Sequence, residues 1–458
     1  MESDDGGTSS LRTSLAVITW EGTFATVFVI LTGGAFLTGA AIFFGAGDFE
    51  IALLGAAPFL AQVAQLAAAA AVDRTGKRKA ITVWGVLVAR QVWWILPVLF
   101  FLSGGWRLTV FILLILLSNV ATMVATPGWL DWMADIIPDR IRKRYFGNRN
   151  AAVAAATVVA TMAGGLCLDA CLNAHWEAEG YALLFGIAAF CGLVALVLLW
   201  SLPSGGERKR VDGATLERLA EPIRDRPFRG LLAVFIVWNF ALGLAAAFFA
   251  AHMILNLKMT FTQISLYTSS VALVAVVLSR PWGIMIERFG CRPVMVVCAF
   301  GIVLIPLIWC FPTPQRLWIL IPESVYAGVL WTGFNLALFN VPLAYSPKEG
   351  RANYLAVFSV VSGLSFFAAS IVGGALAEGW AGMQWVVLGG TFVNYHLLFV
   401  TSAILRFIAA FLFLTIREPK EKGVMTMMQF MGYALLRRMA AGRQILPWTS
   451  SPGGEGKS

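Results

Sequence analysis

The sequence predicts an all-α integral membrane protein with about twelve transmembrane helices in two pseudo-symmetric six-helix bundles. Three observations predict this fold class: the composition, the spacing of long apolar segments, and a repeat between the two halves. Of the 458 residues, 59% are hydrophobic and only 13% are charged, whereas soluble domains are about 45–50% apolar and about 25% charged. A water-soluble core could not bury so much apolar surface, so lipid must be the solvent for much of the chain.

Each predicted span contains enough apolar residues to cross about 30 Å of hydrocarbon, for which about 20 helical residues are needed. The spans are 14–45, 49–72, 80–102, 107–134, 150–172, 180–202, 228–256, 262–286, 293–312, 317–345, 353–378 and 394–416. The first, fourth, seventh and tenth are long enough to tilt or break. Because residues 1–13 are acidic and lack a basic start, we expect the first span to be retained as an anchor.

The basic residues are distributed unequally between the two sides of the predicted bundle. Of 34 lysines and arginines, 28 fall on one side, 3 on the other and 3 inside spans. By the positive-inside rule, this asymmetry predicts that both termini are cytoplasmic. The net charge of +9 then reflects orientation and contact with anionic lipid headgroups, and we expect no nucleic-acid partner.

A polar segment rich in charge divides the spans six and six. The predicted organisation is a cytoplasmic tail (1–13), an N-terminal six-helix bundle (14–202), a cytoplasmic linker (203–227), a C-terminal six-helix bundle (228–416) and a cytoplasmic tail (417–458). The linker favours a short surface helix at 213–224. Methionines and arginines over 424–444 favour an amphipathic helix on the membrane surface, with a disordered tail as the alternative.

The two bundles repeat one another in sequence. The loop Asp73–Arg78 after the second span returns as Glu287–Arg292 after the eighth, 214 residues later. A second register of 209 residues relates Pro138, Arg142, Tyr145, Gly164, Gly165 and Asp169 to Pro347, Arg351, Tyr354, Gly373, Gly374 and Glu378. Parallel six-span repeats are the construction of one large class of transporters.

These loops resemble the G-x-x-x-D-R-x-G-[RK]-[RK] pattern of the major facilitator superfamily. The first copy matches at Asp73, Arg74, Gly76, Lys77 and Arg78, with Ala69 in place of the leading glycine. The second matches at Gly283, Arg288, Gly290 and Arg292, with Glu287 replacing aspartate and Cys291 replacing a base. The segment from Trp129 to Asn150 is similar to a bacterial subgroup whose members are mostly uncharacterised. The resemblance covers roughly residues 14–416.

The resemblance implies a secondary active transporter that moves a small solute by alternating access, with one half rocking against the other. It also implies a monomer in the bacterial inner membrane. The expected partners are a small-molecule substrate, the lipid bilayer and, if transport is proton-coupled, protons. The alternatives are a multidrug-type exporter, or a non-transporting relative such as a sensor or a pigment- or lipid-handling assembly factor. An enzyme is disfavoured because no nucleophile-base pair is visible, and we expect no cofactor and no metal site.

The loop motifs suggest a charge latch that holds the cytoplasmic side closed. Arg74 could bridge to Asp131 or Asp135 at the end of the fourth span, while Asp73 caps a neighbouring helix. The alternative is a simple hairpin turn whose bases set topology. The candidate gating residues are Asp73, Arg74, Gly76, Arg78, Asp135, Arg142, Glu287, Arg288, Gly290, Arg292 and Arg351.

The resemblance places the first, fourth, seventh and tenth spans around a central cavity. Polar and aromatic side chains on these spans are the candidate substrate-binding residues: Asn119, Thr122, Thr126, Trp129, Trp238, Asn239, Trp331 and Asn335. Aromatic rings stack on apolar faces and amides bond hydroxyl groups, so a sugar-like or other polar organic solute fits. Interfacial tryptophans and helix-helix hydrogen bonds are the alternative explanation.

Charges inside spans are costly unless they are paired or functional. Arg90 and Arg406 lie near the midplane on the third and twelfth spans, where structural pairing and ligand contact both remain open. Glu21 and Glu323 lie on cavity spans and are candidate proton carriers, with a solvated acid near a helix end as the alternative.

Overall fold

The computed structural model describes residues 5–204, 216–347, 350–387, 390–416, 423–430 and 433. Within these residues, twelve helices or helix pairs are long and apolar enough to cross a membrane. The fold is therefore that of a multi-pass membrane protein, as the composition predicts. We call helices α1–α8 the N-terminal half and α10–α16 the C-terminal half.

The N-terminal half contains α1 (Asp5–Leu31), α2 (Gly34–Phe43), α3 (Asp48–Thr75), α4 (Arg78–Gln91), α5 (Leu96–Leu99), α6 (Trp106–Ile136), α7 (Asp139–Asn173) and α8 (Glu177–Ser201). The first span is broken between α1 and α2, where Gly34 has a φ of +53°, a conformation that glycine adopts without steric cost. A 3-10 turn, Val92–Trp94, joins α4 to α5 within the third span.

One helix boundary differs from the prediction. The sequence places residues 138–149 in a loop before the fifth span, but α7 is helical from Asp139 onward. Pro138 precedes its first turn, where proline is well tolerated. The basic stretch that was assigned to the loop therefore forms the first three turns of a long helix.

The C-terminal half contains α10 (Arg226–Leu255), α11 (Phe261–Phe289), α12 (Cys291–Ile302), α13 (Leu304–Ile308), α14 (Leu320–Tyr345), α15 (Arg351–Gly379) and α16 (Asn394–Leu412), with 3-10 turns Leu317–Ile319 and Phe413–Thr415. In the linker, α9 spans Leu216–Arg224, and the rest of the expected helix at 213–215 lies outside the described residues. The sequence did not indicate the hairpin of β1 (Gln384–Val387) and β2 (Gly390–Val393), whose strands are antiparallel.

The tail helix predicted at 424–444 is described only at its start. Residues 424–430 are helical, and Met427 is fully buried. Phe430 packs against Phe289, with ring centroids 5.4 Å apart. The remainder of this prediction, apart from residue 433, lies outside the described residues.

The repeat is visible in the contacts that position the helices. The hydroxyl of Tyr145 on α7 donates to the Leu15 carbonyl of α1 at 3.0 Å. Its counterpart Tyr354 on α15 donates to Asp225, the residue before α10, at 3.3 Å. Each tyrosine thus links the fifth span of its half to the start of the first span by a hydrogen bond.

The two halves meet along α3 with α15 and along α7 with α11. Gly165 on α7 is so close to α11 that a Cβ there would lie 2.7 Å from the carbonyl oxygen of Phe261. Its counterpart Gly374 on α15 lies against α3, where a Cβ would be 3.1 Å from the Cα of Phe49. Both positions require glycine because the backbones approach too closely for a side chain.

Two carboxylates join the halves at the end of the bundle opposite the loops rich in arginine and lysine, which we call the basic face. Asp169 of α7 accepts hydrogen bonds from the backbone N–H groups of Phe261 and Thr262, at 2.8 and 2.7 Å. Asp48 of α3 accepts from Asn394 Nδ2 at 2.9 Å and from the Tyr395 hydroxyl at 2.5 Å. Both acids therefore cap or anchor a helix that belongs to the other half.

Candidate functional site

The ion pairs at the basic face differ from the predicted latch. The buried guanidinium of Arg78, and not that of Arg74, bridges Asp131 at 3.3 Å and also contacts Asp135. Arg74 is exposed at the end of α3. Gly76 ends α3 with a φ of +66°, and this left-handed turn directs the chain so that Arg78 begins α4 facing α6.

The corresponding loop of the C-terminal half makes different contacts. Arg292 donates to the Leu414 carbonyl at 2.6 Å, and Arg288 lies over the ring of Phe430, 4.1 Å from its centroid. Glu287 and Arg351 are exposed, and Gly290 has a φ of +97°. Arg142 donates to the Ile137 carbonyl at 3.0 Å.

Several predicted residues of the N-terminal half line one cavity, which we call the N-terminal cavity. It has a volume of about 200 Å³ and lies among α1, α4, α6 and α7. Its lining includes Glu21, Arg90, Thr122, Thr126, Trp129 and Arg149. The structure therefore brings together the polar stripe of the fourth span and two of the intramembrane charges.

The charges of the N-terminal cavity are partly paired. Arg90 donates to Glu21 at 3.1 Å, and both side chains are largely buried. Arg149 lies over the ring of Trp129, 5.5 Å from its centroid, and packs against Gly22 of α1. Two arginines thus face one glutamate in this cavity.

Sequence reasoning missed Arg149 as a cavity residue because it placed the residue in a loop. Residues 139–163 contain no proline and one glycine, Gly147, which is typical of an uninterrupted helix. From that signal, α7 could have been predicted to begin directly after Pro138, with Arg149 inside the helix.

The hydroxyl and amide groups of the polar stripe are bonded to their own helix. Thr122 donates to the Ser118 carbonyl and Thr126 to the Thr122 carbonyl, both at 2.8 Å. Asn119 Nδ2 donates to the Ile115 carbonyl at 2.8 Å. Each oxygen atom retains acceptor capacity, so the stripe can still receive hydrogen bonds from a solute.

A larger cavity lies within the C-terminal half, and we call it the C-terminal cavity. It has a volume of about 350 Å³, and residues of α10, α11, α13, α14, α15 and α16 contribute to its wall. The lining includes Phe249, Tyr267, Trp309, Trp331, Phe366 and Arg406. Of the predicted residues, Trp331 and Arg406 meet here.

Four other predicted binding residues do not line these cavities: Asn119, Trp238, Asn239 and Asn335. Trp238 is only 1% exposed, and it packs in the hydrophobic core against Phe334 and Phe413, with centroids 4.8 and 5.2 Å away. In this conformation the ring of Trp238 faces the core of its own half, and its role in binding stays a prediction. Asn239 donates to the Phe235 carbonyl at 2.8 Å, and Asn335 is exposed.

Glu323 is 2% exposed at the start of α14. Neither of its oxygen atoms forms a hydrogen bond with a described residue, although the Tyr267 and Trp309 side chains lie beside it. These two aromatic residues also line the C-terminal cavity. Glu323 therefore lies directly behind the aromatic wall of that cavity.

Comparisons with known proteins agree with this architecture. Residues 231–448 match the family model described as Major Facilitator Superfamily. The chain is also similar in fold to the D-xylose-proton symporter, with a TM-score of 0.68, 14% identity, and coverage of 89% of this chain and 98% of that one. For the nucleoside transporter NupG, the TM-score is 0.65 at 14% identity, with 89% and 98% coverage. The C-terminal half therefore matches the model of this family, and the fold of the chain is similar to those of these solved transporters.

A curated relative shares part of this sequence. The nitrite extrusion protein of Bacillus subtilis (strain 168) is 26% identical over 174 residues. The aligned segment covers 37% of this chain and 42% of that relative's length, so less than half of the relative is matched.

Proposed function

We propose that this protein is a secondary transporter that moves a small solute by alternating access, with its two halves rocking against one another. The observation that carries this proposal is the pair of cavities, one in each half of a duplicated bundle. The two halves are joined by Asp48 and Asp169 at the end opposite the basic face. Such duplicated folds bind solute between repeats and expose the site to each side in turn.

We infer from the positive-inside rule that the basic face and both termini are cytoplasmic, as in a bacterial inner membrane protein. The end joined by Asp48 and Asp169 then faces outward. The described conformation is accordingly closed to the outside, and the protein acts as a monomer with one pathway between its halves.

The solute that we propose is a small polar organic molecule. Polar groups at Thr122 and Thr126 lie beside the ring of Trp129 in the N-terminal cavity, an arrangement that suits stacking and hydrogen bonding. This polar wall favours transport over a sensor or a lipid-handling role on the same fold. The names of similar proteins, for xylose, nucleosides and nitrite, support a small polar solute without selecting one.

We also propose that transport is coupled to protons through Glu323. Glu21 is fixed by its ion pair with Arg90, whereas Glu323 has no ion pair among the described residues and lies behind the wall of the C-terminal cavity. A carboxyl group that is alternately exposed and buried can load and release a proton. Glu323→Gln should abolish solute accumulation driven by a pH gradient in proteoliposomes while leaving counterflow exchange intact. Unchanged accumulation would contradict the coupling.

Alternating access predicts opposite motions at the two ends of α3 and α15. Spin labels at Gly47 and Glu378 report on the outer end, and labels at Thr75 and Arg351 report on the basic face. The six native cysteines are first replaced so that only the introduced positions carry labels. Pulsed dipolar measurements should show that one distance lengthens as the other shortens when the pH is lowered or solute is added.

A second pair provides the control for this experiment. Labels at Thr75 and Ser201 lie within the N-terminal half, so their distance should stay constant while the inter-half distances change. If both inter-half distances changed in the same direction, or if neither responded to pH, solute or reconstitution in lipid, the protein would not be an alternating-access transporter.

A further inference from the structure

The C-terminal cavity contains a buried positive charge with no counter-ion from the described part of the chain. Arg406 is 2% exposed and lines the cavity. Its side chain has no ion pair and no hydrogen bond with any residue that the structure describes, and its Nε is buried without a partner. Burying a charge is costly unless an opposite charge or hydrogen-bond acceptors compensate it.

The surroundings of Arg406 give it no fixed acid. The cavity is lined by residues of six spans, and none of the lining residues is Asp or Glu. Glu323, the nearby buried acid in this half, lies behind Tyr267 and Trp309 and forms no ion pair with Arg406. A guanidinium presents donors in a planar fork that matches a carboxylate bidentately.

The rest of the lining is aromatic and aliphatic. Phe249, Trp309, Trp331 and Phe366 present ring surfaces to the cavity. The volume of about 350 Å³ lies at the lower end of the roughly 300–1,000 Å³ range of small-molecule sites. Such a wall binds the apolar body of a ligand by burial and stacking, and a single arginine balances a single negative charge.

We infer that the C-terminal cavity binds a small organic monoanion, with its carboxylate on Arg406 and its apolar or aromatic body against the tryptophan wall. This inference rests on the proposed transport function and specifies the class of solute. The anion completes the charge balance that the described residues leave open, so the cavity is most stable when it is occupied.

The test compares carboxylates with their neutral amides on the purified full-length protein. Benzoate and indole-3-acetate should raise the melting temperature and quench tryptophan fluorescence, because Trp309 and Trp331 line the site. Benzamide and indole-3-acetamide have nearly the same shape without the charge and should bind roughly tenfold or more weakly. Equal responses to the acids and the amides, or no response to either acid, would overturn the inference.

Arg406→Met removes the charge and keeps an apolar side chain of similar length. This variant should lose carboxylate binding by roughly tenfold or more, and its ligand-free melting temperature should equal or exceed that of the wild type, because an uncompensated buried charge is gone. Arg406→Lys should retain a preference for acids over amides at reduced affinity. Arg316→Met, the same change at an exposed arginine of this half, should leave both properties unchanged.

Three further results would distinguish a failure of the anion site from a failure of the proposed transport function. Wild-type affinity for benzoate in Arg406→Met, or a large loss of ligand-free stability, would show that Arg406 is structural and would overturn the inference. Stabilisation by nitrite, with no response to the carboxylates, would overturn the organic part in favour of an inorganic anion. If neutral solutes bind and the spin-label distances respond while no anion binds, transport stands and only this inference fails.

Discussion

The two halves of the molecule treat their intramembrane arginines in opposite ways. In the N-terminal half, Arg90 is paired with Glu21 at 3.1 Å. In the C-terminal half, Arg406 is more deeply buried than Arg90 and has no acidic partner among the described residues. A duplicated backbone therefore does not require duplicated charges: one half contains its own counter-ion, and the other leaves its arginine for the anion that we propose.

The largest expected effect comes from breaking the pair in the N-terminal half. Arg90→Met removes the ion-pair partner of the buried Glu21 carboxylate and leaves Arg149 as the remaining arginine on that cavity, and such losses cost up to about 3–5 kcal/mol of stability. Unfolding in detergent, followed by heat and by denaturant, measures the change. Arg406→Met in the other half should show no loss.

The double variant Glu21→Gln, Arg90→Met tests the cause of that effect. Removing both charges should recover most of the stability, because no uncompensated ion remains. Equal destabilisation by Arg90→Met and Arg406→Met would contradict the proposed difference in charge pairing between the two halves.

A smaller effect is expected at the two repeated loops. Arg78→Met removes contacts to both Asp131 and Asp135, which are about one-quarter and one-half exposed, and should cost about 1–3 kcal/mol. Arg288→Met in the second loop removes an exposed cation–π contact with the Phe430 ring, 4.1 Å from its centroid, and should cost less than about 1 kcal/mol. The same unfolding measurements compare the two variants. A larger loss for Arg288→Met than for Arg78→Met would show that the second loop carries the latch.

The smallest effect concerns the contacts between halves at the outer end. Asp169→Asn weakens the cap on α11 and should cost about 1 kcal/mol, broadening the distance distribution between labels at Gly47 and Glu378. The counterpart of Asp169 in the repeat is Glu378, which is exposed. For the control variant Glu378→Gln, the labels are placed at Gly47 and Gly379, and the distance distribution should stay unchanged. An equal shift in both variants would show that Asp169 and Glu378 contribute equally to the contact between the halves.

Features that depend on local sequence could be predicted. Twelve apolar lengths specify the spans without reference to neighbours, and steps of three and four residues along the fourth span place Thr122, Thr126 and Trp129 on one face. That face lines the N-terminal cavity. Of the glycines related by the 209-residue register, Gly165 and Gly374 occur where the halves touch.

Features that depend on tertiary contacts could not be predicted. Spacing does not distinguish Arg74 from Arg78 as the partner of Asp131, because the turn at Gly76 decides which side chain faces α6. Trp238 and Trp331 look alike in sequence, yet one faces the core and the other a cavity. The partner of an intramembrane arginine depends on which helices pack beside it, so the sequence could not separate Arg90 from Arg406.

Gly165 and Gly374 give the boundary between the halves a particular mechanical property. Interlocked side chains must leave their preferred rotamers before two surfaces can separate, and this requirement raises the free-energy barrier to separation. At Gly165 and Gly374 the surface of α7 or α15 is bare backbone. If the halves separate as we propose, neither position has a side chain that must change rotamer.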